Sequence, residues 1–96
     1  MQGPVTIDSF KPFVGRAARL AGASASLVLD RVEVGPTGPP EFRQPFTLVF
    51  RAARTDPTAQ EGLYLCEIED AARFELYIVP IHTPEPDYQD YQAVFN

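Results

Sequence analysis

The sequence predicts an all-β domain, a small antiparallel barrel or sandwich of about six strands with one short N-terminal helix. Three observations point there. Apolar and β-branched residues gather in six short runs, at residues 16–20, 27–34, 46–52, 63–69, 74–81 and 91–95. Most of these runs are separated by proline, glycine and small polar residues, the turn signals expected between the short strands of sandwiches and barrels. Only one stretch, near the N-terminus, carries helix signals. At 96 residues the chain is expected to be a single β-rich domain over residues 1–96, with no room for a second core.

Taken in order, residues 1–8 read as an extended lead-in. Residues 9–15, SFKPFVG, form the helical signal. Ser9 or Asp8 can cap it, Pro12 falls within the first turn, and Gly15 can supply a left-handed stop. So short a helix cannot stand alone. With Ile7, Phe10, Phe13 and Val14 on its apolar side, it is expected to lie on the sheet or close a barrel end. Residues 16–20 make a short strand, and 21–26 a small-residue turn. LVLDRVEV at residues 27–34 makes a better strand whose imperfect alternation places a bulge near Asp30. The stretch 35–45, GPTGPPEFRQP, with four prolines and two glycines, is an exposed loop. FTLVFRA at 46–52 alternates, with Phe46, Leu48 and Phe50 inward against Thr47, Val49 and Arg51. A second loop, 54–61, contains Pro57; a third, 83–88, is proline-rich and acidic; the last strand, 91–95, is expected to be paired into the sheet.

Residues 62–81, GLYLCEIEDAARFELYIVPI, are the most apolar part of the chain and read as a hairpin. A turn centred on Ala71 and Ala72 pairs Glu69 with Phe74, Leu65 with Ile78 and Cys66 with Tyr77. Side chains alternate along each strand. One face then carries Leu63, Leu65, Phe74, Leu76 and Ile78, and the other Tyr64, Cys66, Ile68, Tyr77, Val79 and Ile81. Neither face is polar, which predicts cover on both sides. The turn lacks an Asn-Gly signature; a slip of one residue would exchange the faces of one strand and leave that expectation in place.

Bulk properties narrow the function. The net charge of −5 and isoelectric point near 4.6 disfavour nucleic acid and anionic membranes, which attract a positive surface. No apolar run approaches the roughly 18 residues that cross a membrane as a helix. The first positive charge is Lys11 and no leader-like apolar segment precedes it, so the expected location is cytoplasmic, or within an exported or particle-associated assembly. A lone cysteine, Cys66, excludes an internal disulfide. Seven of the eight basic residues are arginines, spread along the chain rather than clustered.

Chemistry-bearing residues are few. Nucleophilic catalysis needs a nucleophile beside a base. In the register above, Cys66 and His82, the only cysteine and histidine, lie about 16 Å apart along a strand. Cys66 reads as a core thiol and His82 as a strand-end residue. Glu85, Asp87 and Asp90 place three carboxylates in six residues without the calcium-loop pattern, and read as a solvated acidic loop rather than a weak calcium site. Glu67 and Glu69 share one strand face at the hairpin tip, where charge protects an edge. Gly35 and Gly38, interleaved with prolines, lead into no helix and make no phosphate cradle. These readings predict no enzyme, no catalytic residue, no cofactor and no metal site. Surface remains: the four tyrosines Tyr64, Tyr77, Tyr88 and Tyr91, with Val79, are the candidate interaction surface, tyrosine being favoured where one end is apolar and the other hydrogen-bonds. The competing reading makes them ordinary barrel residues.

FKPFVGR at 10–16 with Leu20, FTLVFR at 46–51, GLY at 62–64, LYIVPI at 76–81 and YQAVFN at 91–96 together resemble a family of small bacterial domains of unknown function. The resemblance covers nearly the whole chain. Ala17-Ala18 stands where a larger or aromatic residue is expected. Members are often encoded beside proteins resembling phage tail-collar or microcystin-dependent proteins, which form fibre-like assemblies. The resemblance therefore implies a structural or protein-interaction domain, a subunit or assembly partner of a phage-tail-like or fibre-like assembly. It implies no catalytic residue. The expected partner is another protein or a second copy, with strand addition at an open sheet edge as one mode. The alternative is a small barrel binding an apolar small molecule, which requires a closed cavity of at least about 300 Å³.

Overall fold

Six antiparallel strands close on themselves in the computed structural model, which describes residues 7–35, 45–69 and 72–95. They are β1 (Ala17–Leu20), β2 (Ser26–Val34), β3 (Phe46–Ala53), β4 (Gly62–Ile68), β5 (Ala72–Ile81) and β6 (Tyr88–Phe95). Around the barrel the order is β1-β2-β3-β6-β5-β4, and β1 returns to β4. The last strand is thus inserted between β3 and β5, and Phe95 is paired with Phe46, as expected of the C-terminal strand. The expected loop at 35–45 lies outside the described residues except for its ends, where the Gly35 N–H donates to the Pro45 carbonyl at 2.8 Å. A Cβ at Gly35 would stand 2.9 Å from the Pro45 ring, so this close approach requires glycine. Residues 1–6 of the expected lead-in are likewise outside the described residues.

Strand periodicity builds the core. Leu27 and Leu29 of β2, Phe46, Leu48, Phe50 and Ala52 of β3, Cys66 and Ile68 of β4, Leu76 and Ile78 of β5, and Tyr91 and Ala93 of β6 all point inward and are buried. A barrel of this strand number is filled by its own side chains. The bulge expected near Asp30 is present: the β2–β3 register shifts between Leu29 and Arg31. Without it Val32 would turn outward; with it, Val32 packs on the core opposite Leu48. Val49 is buried as well, although it stands on the outer ladder between Arg31 and Gln92. Ala18 is buried and Ala17 exposed, so the small first strand contributes one inward methyl there.

The N-terminal helical segment consists of two consecutive 3-10 turns, Ile7–Ser9 and Lys11–Phe13. Pro12 sits in the second turn, where its missing N–H and fixed φ are tolerated but an α-helix could not continue through it. Phe10 occupies the N-cap position of that turn without a side-chain capping bond. Gly15 adopts φ +87, the left-handed stop the sequence predicts, and donates its N–H to Leu29 at 2.7 Å. The segment closes one end of the barrel. Phe10 is fully buried, with ring centroids 4.6 Å from Phe74, 5.4 Å from Phe95 and 5.8 Å from Phe46. Ile7 and Phe13 pack partly against the core, whereas Val14 is exposed.

The hairpin corrects the sequence reading. Cys66 stands opposite Phe74 rather than Tyr77, and the ladder closes at Ile68 and Ala72, so Ala72 belongs to β5 rather than to the turn, while Ala71 lies outside the described residues. The slip is odd in number, so one strand's faces are exchanged relative to the other. Tyr64, Cys66 and Ile68 join Phe74, Leu76 and Ile78 inside. Leu63 and Leu65 join Tyr77 on the outside and are 63%, 40% and 53% exposed. Among the described residues none covers Leu63, Leu65 and Tyr77: the N-terminal plug occupies the barrel end, not the outer surface.

Candidate interaction surface

The outer face of β4 and β5 follows from this register. Leu63 and Tyr77 are direct cross-strand partners, Leu65 lies two residues along opposite Glu75, and half-buried Val79 continues the row on β5. Cross-strand neighbours on one face are in side-chain reach of one another, so Leu63, Leu65 and Tyr77 form one exposed apolar strip. The Tyr77 hydroxyl donates to Glu61 at 2.5 Å, and this bond to a carboxylate pushes the phenol's pKa up. Toward the plug end the strip meets charge: Glu67 lies 3.9 Å from Arg19 and 3.7 Å from Arg73, and Glu69 lies 3.3 Å from Arg16.

The five residues singled out by the sequence do not share one surface. Tyr77 and Val79 lie on the outer strip. Tyr64 is turned inward at the mouth opposite the plug, where its hydroxyl donates to the Gln60 carbonyl at 2.6 Å. Tyr91 is buried in the barrel, and its hydroxyl accepts the Ala59 N–H at 2.9 Å, tying the 54–61 loop down. Tyr88 is exposed on β6, and the Arg51 guanidinium stacks over its ring at 4.6 Å. The residues the sequence reading missed as surface are Leu63 and Leu65. Their signal was present in the apolar run, but only the register decides which way they face.

Asp90 is not part of a solvated acidic loop. It is buried and takes two hydrogen bonds from Arg51, at 2.8 and 3.1 Å, across the β3–β6 ladder. Charge-assisted bidentate bonding to Asp90 raises the Arg51 pKa and keeps the guanidinium charged. Glu85 approaches the same guanidinium at 3.6 Å. The Asp90 N–H donates to the Thr83 hydroxyl at 2.8 Å, and Arg54 donates to the carbonyls of Thr83, Glu85 and Tyr88. These bonds hold the 82–87 loop against the barrel mouth. Among the described residues, no three His, Cys, Asp or Glu side chains come together as metal ligands would.

Cys66 is fully buried inside the barrel, where desolvation pushes its thiol up to about 12. His82 is exposed beyond the far end of β5. Cys66 stands opposite Phe74, eight positions before His82 and roughly 26 Å away along an extended strand. The space at the mouth has a volume of about 290 Å³ and is lined by Gly22, Ala23, Ser24 and residues 57–60 with Tyr64. It lies between two loops rather than along the barrel axis, which Tyr91, Phe50 and the core leucines fill.

A family model for a domain of unknown function, DUF6916, matches residues 5–95. The chain belongs to this family. No curated protein and no solved structure matches it significantly. The match runs from before the plug to the last residue of β6, so the plug and all six strands of the DUF6916 barrel lie within the family's span.

Proposed function

We propose that this DUF6916 barrel is a non-enzymatic protein-interaction or structural domain that docks through the outer face of β4 and β5. The observation that carries the reading is the strip Leu63, Leu65 and Tyr77, exposed side by side on a strand pair whose inner face is already buried. Apolar side chains left in contact on a sheet exterior cost solubility and mark contact sites; tyrosine is a residue that interfaces favour. The polar groups of the barrel support the same reading. Arg51, Asp90, Arg54 and Thr83 bond to one another and to loop carbonyls, and the lone thiol is enclosed and far from the histidine. The setting proposed is a fibre-like or phage-tail-like assembly, with a tail-collar-like protein as partner; it rests on the family resemblance.

The test is light scattering on the purified chain, alone and mixed with the product of the neighbouring gene. Self-association or complex formation is expected, and Leu63→Glu, which places a charge in the centre of the strip, should weaken it. A wild-type chain that stays monomeric and takes up no neighbour refutes the reading. The apolar-ligand alternative has less support, because the 290 Å³ space sits at the mouth between loops and is bordered by Ser24, Thr58 and Gln60.

A further inference from the structure

β5 and β6, of ten and eight residues, share a shorter ladder than their lengths allow. These strands are paired at three positions only, Val79 with Gln92, Pro80 with Tyr91 and Ile81 with Asp90. Continued regularly, that register would set Ile78, Tyr77 and Leu76 opposite Ala93, Val94 and Phe95; among the described residues those pairs are not made. Further toward the plug, residues 72–75 of β5 extend beyond the level of Phe95, where β6 ends. Phe10 stands where the two strands part, in contact with Phe74 of β5 and Phe95 of β6. Aromatic side chains bridge the two strands there. On its other side β5 is engaged throughout: each residue from Ala72 to Ile78 has a partner on β4. Residues 72–75 thus have one edge paired and no strand beside the other among the described residues, and Leu76 has no ladder partner on β6. Such an edge is a template for another strand.

We propose that a second copy of this chain covers that edge, β5 pairing antiparallel with β5 of the second copy about a two-fold axis at Phe74. The charge pattern selects the register. With the axis at Phe74, Arg73 of each copy faces Glu75 of the other, twice over, and Ala72 faces Leu76. An axis at Arg73 or Glu75 would oppose like charges instead, which is unfavourable for directly facing residues. Arg73 and Glu75 are both exposed on the outer face. Arg73 already lies 3.7 Å from Glu67 of its own chain, so in the pair it sits between two carboxylates. The contact is isologous, as a two-fold requires, and joins two barrels through one continuous sheet. This proposal rests on the interaction reading above in taking the chain to associate, names a second copy as the partner, and places the contact at the β5 edge beside the Leu63–Tyr77 strip.

The experiment is sedimentation equilibrium of the full chain across a concentration series, with thermal unfolding to check that each variant is folded. A concentration-dependent dimer is expected. Glu75→Arg and Arg73→Glu should each weaken it about tenfold, since two facing ion pairs become two like-charge pairs. The double variant Arg73→Glu/Glu75→Arg should restore it. Amide exchange at residues 72–76 should slow as concentration rises. A monomer at every concentration overturns the proposal. A dimer that ignores both reversals but is lost with Leu63→Glu overturns the edge and leaves the interaction reading standing; a chain that neither dimerises nor binds its neighbour removes both.

Discussion

Replacing Phe10 by alanine removes the ring that closes the barrel end. Phe10 is wholly enclosed and touches three other aromatic rings, from β3, β5 and β6. Burial of a phenylalanine and the cavity left by its loss together cost about 3–5 kcal/mol on truncation. The three ring contacts, worth roughly 0.5–1.5 kcal/mol each beyond area, place the cost toward the upper end, about 4 kcal/mol. A 96-residue domain has roughly 5–14 kcal/mol in all. Phe10→Ala should therefore forfeit a large share of the stability and lower Tm by about 15–30 °C, whereas Phe10→Leu should cost about 1–2 kcal/mol. Urea unfolding gives the energy. Hydrogen exchange gives the location: amides of residues 72–78 and 93–95, which flank the opening Phe10 bridges, should lose protection first. A cost below about 1 kcal/mol, or exchange that rises uniformly around the barrel, refutes the idea that this ring holds β5 and β6 together.

Three further outcomes follow from the buried groups of the barrel. Cys66 carries a raised pKa, so between about 9 and about 12 the folded chain keeps a proton that the unfolded chain releases, and stability falls as pH rises above 9 by up to about 1.4 kcal/mol per unit; Cys66→Ala should flatten that alkaline limb in urea titrations, and the native thiol should resist aromatic disulfide reagents until the protein unfolds. Tyr91→Phe keeps the ring but strips the acceptor from the buried Ala59 N–H, a loss of about 1–2 kcal/mol measurable by thermal unfolding, with faster exchange in the 54–61 loop. Asp90→Ala leaves Arg51 half-buried without its bidentate partner and should cost about 2–3 kcal/mol, while the exposed Glu85→Ala, at 3.6 Å from the same guanidinium, should stay within about 0.5 kcal/mol.

The all-β class, the six strands, the bulge near Asp30 and the closing role of the N-terminal segment were legible because each has a local cause. Strands announce themselves by period-two apolar patterning, as in Phe46, Leu48 and Phe50. Loops follow from proline and glycine, and the plug from Phe10 beside a proline that forbids a longer helix. The site was legible only in part. Of the tyrosines grouped by the sequence, Tyr77 and Tyr88 are exposed, but Tyr91 and Tyr64 belong to the interior, while Leu63 and Leu65 stand on the exterior.

The difference has one physical origin. Composition and periodicity determine that residues 62–81 form two strands apolar on both sides, because those quantities depend only on neighbours along the chain. Which of the two sets enters the barrel depends on the pairing register, and an odd slip in register reverses the faces of one strand against the other. The connecting residues did not set that register, having no Asn-Gly turn to impose it. The barrel did: β4 also pairs with β1, and its inward residues must meet Phe10, Leu29 and Phe50 across the axis. The same closure turned Asp90 from a loop carboxylate into a buried partner of Arg51, since only the insertion of β6 beside β3 brings those two side chains, 39 residues apart, into one hydrogen-bonded pair.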